Sequence, residues 1–258
     1  MSNSQYGLPL LQGVAKCPGL WDGQLLLRTG AAVMSERQWS EVDRYFTDLL
    51  VRPDPVLAAT LEASDAAGLP AINVADNQGK FLMLLALAQG ARNILEIGTL
   101  GGYSTIWLAR ALPADGRLVT LEAVPTHAKV ARENIERAGF GRTVEVRLGR
   151  AIDTLPALAA ERRGPFDFIF IDANKSGYAE YFQWSMKLAR RGTVIVADNV
   201  VRHGEVIDGH SRDANVIGVR RFMELVSLEP RVSATAIQTV GSKGYDGFAM
   251  AVVIDPPA

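Results

Sequence analysis

Two short stretches hold the residue types best suited to chemistry: Asp172-Ala173-Asn174-Lys175 and Asp198-Asn199. Each directly follows an apolar run, FDFIFI at 166–171 and TVIVA at 193–197. If the two runs are neighbouring parallel strands, Asp172, Asp198 and Asn199 leave the sheet at one edge. Two carboxylates and an amide oxygen make a hard-cation donor set, suited first to Mg²⁺ and also to Ca²⁺ or Mn²⁺. Either aspartate alone would serve equally well as a helix cap. The pair, with Asn199 adjacent and Lys175 one turn on, favours the cation.

A second group lies upstream. NILEI at 93–97 runs into Gly98-Thr99-Leu100-Gly101-Gly102-Tyr103-Ser104. Glycines there let the backbone turn tightly and let a ligand lie against it. Leu100 stands where the dinucleotide fingerprint G-x-G-x-x-G has its second glycine, so that fingerprint is broken. LVTLE at 118–122 ends in Glu122. A carboxylate roughly 20 residues past a glycine turn is placed for the two hydroxyls of a ribose. Alone it would pass for a solvated charge; behind the glycine loop it indicates a nucleoside-type cofactor. VEVRL at 144–148 leads into Gly149-Arg150-Ala151, small enough to admit a flat ring.

The elements that must hold these residues follow from periodicity. Strands are expected at 93–97, 118–122, 144–148, 166–171 and 193–197, then at 233–238 and 247–254. Helices are expected at 36–50, 54–67, 76–89, 103–111, 126–138, 151–160, 178–189 and 215–228. In the third of these, Phe81, Leu82, Leu84, Leu85 and Leu87 form the expected apolar face. Alternating strands and helices imply a doubly wound, mostly parallel α/β sheet of seven strands with helices on both faces. Ligands of such a sheet sit at the strands' carboxyl ends. Tyr181, Phe182 and Trp184 read as packing, His203 as an ordinary loop histidine, and 202–213 and 67–74 as pocket walls.

Bulk properties exclude several classes. The 258 residues suit one large domain, expected over 34–258, preceded by an irregular leader at 1–33 with Met34 as an alternative start. The net charge is −1 and basic residues are scattered, which argues against nucleic acid as a partner. One cysteine, Cys17, forms no internal disulfide and suits the reducing cytoplasm. No apolar stretch approaches the roughly 20 residues that span a bilayer.

Taken together, ILEIGTLGGYST, LVTLE, the Gly149–Ala151 step, FDFIFIDANK and ADNVVRHGEV resemble the metal-dependent class I O-methyltransferases. These include the caffeoyl-CoA, catechol and small bacterial enzymes. The resemblance runs from about Gln78 to the C-terminus and includes the Gln78-Gly79 helix start and the GYDGF segment at 244–248. It implies a Rossmann-like methyltransferase fold, S-adenosylmethionine as cofactor, a vicinal-diol phenol as substrate, and a homodimer. Glu96, Gly98 and Ser104 would contact the methionine and ribose parts of the cofactor. Glu122 would take the ribose hydroxyls, Ala151 the adenine, and Val74 and Asp172 would complete the set. Asp172, Asp198 and Asn199 would hold the metal, and Lys175 would act as the general base.

Two departures stand out. Asn174 replaces a common aspartate before the lysine, and Arg202, followed by His203, stands where many members carry an aromatic residue. Two other readings compete. An NAD-dependent oxidoreductase would share the sheet and Glu122 but leave the Asp172, Asp198 and Asn199 trio idle. A non-catalytic scaffold of methyltransferase shape would have no need to keep cofactor loop, trio and Lys175 together.

Overall fold

In a computed structural model of the chain, residues 35–255 are described. The expected leader at 1–33 and the alternative start at Met34 lie outside the described residues. Helix α1 (Glu36–Leu50) begins where the Ser35 hydroxyl accepts from the Gln38 amide. Helix α2 (Pro55–Ala66) begins where Asp54 accepts from the Val56 and Leu57 amides, with Pro55 in the first turn. Helix α3 (Asp76–Gln89) stops at Gly90, whose φ of 73° is the left-handed cap a glycine adopts without strain.

Strand and helix then alternate: β1 (Asn93–Ile97), α4 (Tyr103–Ala109), β2 (Arg117–Glu122), α5 (Pro125–Arg137), β3 (Val144–Leu148), α6 (Ala151–Ala160), β4 (Phe166–Ile171), α7 (Tyr178–Leu188), β5 (Ala189–Asp198), α8 (Ala214–Leu228), β6 (Val232–Gly241) and β7 (Gly244–Val253). The seven strands form one sheet in the order β3-β2-β1-β4-β5-β7-β6. The first five are parallel and β7 runs antiparallel between β5 and β6.

Alternation of side chains along the strands divides the core in two. Leu95, Ile97, Ile169, Ile171 and Ile195 pack against α6, α7 and α8. Ile94, Phe168, Phe170, Val194 and Val196 face the other way, onto α3 and α4. With both faces covered, β4 is buried throughout, as its unbroken apolar run requires.

Helix α3 differs from its expected pattern. The residues it buries are Gly79, Leu82 and Ala86, whereas Phe81, Leu84 and Leu87 are exposed. A side chain at Gly79 would overlap the Trp107 indole, so the helix approaches α4 through its smallest residue. Close approach, not hydropathy, selects the buried stripe. Among the described residues no helix is long and apolar enough to cross a membrane.

The site is positioned by the switch between β1 and β4. From β1 the chain winds outward to β3 and then returns to β4 on the other side. The amide of Asp172 donates to the Ile97 carbonyl at 2.8 Å, bringing the end of β4 against the glycine loop that leaves β1. A crevice opens there, as such switch points dictate.

Candidate functional site

The crevice is a cavity of about 1030 Å³ lined from both sides of the switch point. Val74, Gly98, Ser104, Glu122, Ala151, Asp172, Lys175 and Asn199 all face it, so eight of the residues singled out by sequence meet in one space. Two do not line it. Glu96 is fully buried behind Ser104, and Asp198 lies just behind the wall, 4% exposed.

Glu96 accepts from the hydroxyls of Ser104 at 2.6 Å, of Thr120 at 2.7 Å, and of Thr105. Its buried position holds its pKa up at about 7, against the pull of those three donors. The sign of the consequence follows. Between about pH 4.5 and 7 the folded chain keeps a proton that the unfolded chain releases, so stability falls as pH rises through that window. The loss amounts to about 3 kcal/mol. In Glu96→Gln that pH-dependent loss is absent. Its melting temperature should gain on the parent by roughly 6–12 °C between pH 5 and pH 8. A gap that stays constant across that range disproves the buried charge.

Glu122 is held differently. Its carboxylate accepts from the amides of Thr99 at 3.2 Å, Leu100 at 2.8 Å and Val124 at 2.9 Å. His127 Nδ1 lies 3.6 Å away. The side chain therefore fixes the glycine loop while keeping lone pairs turned to the cavity. Leu100 takes a φ of 51°, a left-handed backbone uncommon for a leucine. The sequence shows the broken fingerprint; the structure shows that the turn survives it.

At the other wall, Asp172 and Asp198 directly follow Ile171 and Ala197, the last residues that β4 and β5 pair with each other. Lys175 Nζ donates to Asp172 Oδ1 at 2.7 Å and to the Tyr178 hydroxyl at 2.8 Å. Tyr178 is wholly buried and donates to the Asp198 carbonyl at 2.9 Å, so it ties the lysine to both strand ends. Burial, then the Asp172 and Asp198 charges, push its phenol far above the ordinary value. The ion-pair partner of Lys175 is thus Asp172, its neighbour three residues back. Glu180 pairs with Arg221.

Burial and the nearby Asp172 charge raise the Asp198 carboxyl well above the usual carboxylate range. Its oxygens accept from Gln78 Nε2 at 2.6 Å and the Asn199 amide at 2.8 Å. Asn199 adopts a φ of 55°, which an asparagine tolerates. Among the described residues no three His, Cys, Asp or Glu side chains gather around one point. A cation here would draw its third protein oxygen from the Asn199 amide. All-oxygen donors and two crowded carboxylates fit a hard divalent ion.

Some contributors have no site role in the sequence reading. Gln78 reaches Asp198 across 120 residues. His127, Asn174 and Tyr181 line the cavity, and the Tyr181 hydroxyl donates to Asn174 Oδ1 at 2.6 Å, so that tyrosine does more than pack. Of the loop expected as a wall at 202–213, only Arg202 lines the cavity.

Comparison with known proteins bears on the family of the chain. The O-methyltransferase family profile matches residues 51–251, beginning well before Gln78. A catechol O-methyltransferase of Niastella koreensis is 54% identical over 220 residues, covering 85% of this chain and 100% of the relative. A catechol O-methyltransferase of Mycobacterium tuberculosis is 56% identical over 213 residues, 83% of this chain and 95% of the relative. The crystal structure of the Bacillus cereus O-methyltransferase, solved in complex with SAH, superposes with a TM-score of 0.84. It is 60% identical and covers 85% of this chain and 100% of its own. A dinucleotide oxidoreductase is thereby set aside: the chain belongs to the O-methyltransferase family.

Proposed function

We propose that the chain transfers a methyl group from S-adenosylmethionine to one hydroxyl of a vicinal-diol phenol, with help from a divalent cation. The observation that carries this reading is the single cavity in which a nucleoside-type cleft faces Asp172, Asn199 and Lys175. The names of the Niastella and Mycobacterium relatives support the catechol class.

In this reading Glu122 takes the ribose hydroxyls, Ala151 and Gly149 lie beside the adenine, and Val74, Gly98 and Ser104 border the rest of the donor. Glu96 acts from behind by orienting the Ser104 hydroxyl. Asp172, Asp198 and Asn199 would hold the cation, which when bound makes a chelating hydroxyl easier to ionise. Lys175 Nζ, once it has released its own proton to solvent, receives the hydroxyl proton and becomes the ammonium that pairs with Asp172. The oxygen attacks the methyl carbon, the O–CH₃ bond forms as the S–CH₃ bond breaks, and the sulfonium leaves as a neutral thioether. Holding the two reactants in line can supply about 7–11 kcal/mol of the barrier.

The test uses the full chain with S-adenosylmethionine and catechol. Methyl transfer should disappear on chelation with EDTA and return with Mg²⁺. Full speed after chelation would remove the metal from the mechanism. Absence of turnover on any vicinal diol would favour the scaffold reading.

We also propose a homodimer, a single domain over 34–258 and a cytoplasmic location. An apolar stripe on α1 supports the dimer: Tyr45, Phe46 and Leu49 are 62, 48 and 63% exposed. Light scattering at micromolar concentration should give twice the 27.9 kDa chain mass. A monomer mass disposes of the dimer.

A further inference from the structure

Arg202 makes only a long ion pair, to Asp246 at 3.8 Å, although the backbone that carries it is held in place. Asn199, Arg202 and His203 all adopt a φ of 55°, and Gly204 a φ of 90°. Left-handed backbone at a residue as large as arginine is costly and persists only where its surroundings impose it. Here β7 imposes it. Val200 N donates to the Gly247 carbonyl at 3.0 Å, and Asp246 Oδ1 accepts from the amides of Val201 and Arg202 at 2.9 and 3.1 Å.

The side chain so presented lines the cavity and is 25% exposed. Its Nη1 lies 3.8 Å from Asp246 Oδ2, beyond hydrogen-bond distance, and its buried Nε has no partner. The other cations of the cavity wall are engaged. Lys175 is bound to Asp172 and Tyr178. Arg150 is bound to Asp153 at the exposed rim. Arg202 also stands three residues after Asn199, on the loop that leaves β5. A guanidinium that lines the cavity on a held backbone, with a donor left unsatisfied, matches a planar carboxylate.

We propose that Arg202 is a specificity-determining residue that receives a carboxylate carried by the acceptor, so that the preferred substrates are anionic vicinal-diol phenols. This rests on the methyl-transfer reading above.

The probes are 3,4-dihydroxybenzoate and its methyl ester, which differ in charge but not in the diol. The parent enzyme should prefer the acid in kcat/KM by at least tenfold. Arg202→Gln should lower that acid-to-ester ratio by at least tenfold, a typical effect of losing one charge-assisted pair. Arg202→Lys should keep much of the preference, and Arg202→Glu should invert it.

Three results would overturn the proposal. An unchanged ratio in both the Gln and Glu variants, with the ester still methylated, removes Arg202 from specificity and leaves methyl transfer standing. A loss of S-adenosylhomocysteine affinity as large as the loss on the acid moves the arginine to the cofactor's own carboxylate. Failure of the parent on both probes with Mg²⁺ present ends the underlying reading as well. Melting curves establish that each variant is folded.

Discussion

Lys175→Arg should lower kcat by about 10²–10⁴-fold, the usual worth of a positioned general base, while the chain stays folded. The argument turns on what arginine keeps and what it loses. A guanidinium still pairs with Asp172, so the charge balance of the β4–β5 edge survives. It cannot give up its proton at any working pH, so it cannot accept one. A lysine that merely neutralises Asp172 would be replaced at little cost. Lys175→Met removes base and charge together and should be as slow, with a lower melting temperature because Asp172 loses its ion pair.

The acceptor supplies an independent readout. A nitro-substituted catechol ionises without help, so its methylation by Lys175→Arg should recover most of the lost rate. The KM for S-adenosylmethionine should stay close to the parent value, because the lysine acts on the acceptor. Parent-like turnover of plain catechol by Lys175→Arg, or equal losses on both acceptors, would show that the lysine is structural.

Glu122, Asp172, Asp198 and Asn199 share one property that makes them legible in sequence: each stands at the end of a strand. Apolar runs such as FDFIFI and NILEI announce parallel strands, and in a doubly wound sheet their last residues must emerge along one edge. That rule alone places Glu122, Asp172, Asp198 and Asn199 at the crevice edge. It reached neither Glu96, which lies inside the strand and is sealed off, nor Asp198's retreat behind the wall, because burial depends on what packs over the strand end. Gln78 and Asp246 act on residues 120 and 44–45 positions away, and no local pattern encodes such pairs.

The same contrast holds for the framework. Helix limits set by Ser35, Asp54 and Gly90 are local chemistry, and they fall where expected. The buried stripe of α3 is a relation between two helices, and hydropathy misplaces it. β5 starts at Ala189, four residues earlier than its apolar run suggests. Arg190, Arg191 and Gly192 look like a loop in sequence. In the structure Ala189 pairs with Phe166 of β4, and the register shifts before pairing resumes between Phe168 and Val194.

Gly98→Ala should cost at least about 3 kcal/mol of stability and abolish cofactor binding, although it adds a single methyl group. Two effects combine. Gly98 has a φ of 103°, outside the range that an alanine adopts without strain, which alone costs about 1–3 kcal/mol. A Cβ at that position would also overlap the Asp172 carbonyl oxygen. That obstacle is backbone, so no side-chain rotation relieves it.

Relief therefore requires β1 and β4 to separate at their carboxyl ends, against the Asp172–Ile97 hydrogen bond that joins them. Separation moves the glycine loop on one side and Asp172 with Lys175 on the other, the two halves of the cavity. Gly90→Ala isolates the first effect. Gly90 also has a positive φ, 73°, but nothing lies within 4 Å of its would-be Cβ. It caps α3 away from the cavity, so that variant should lose about 1 kcal/mol and bind S-adenosylhomocysteine as the parent does. Denaturant unfolding and titration calorimetry on the two variants separate strain from overlap. If Gly98→Ala binds S-adenosylhomocysteine like the parent and unfolds within 1 kcal/mol of Gly90→Ala, the close approach at the β1–β4 switch point does not shape the site.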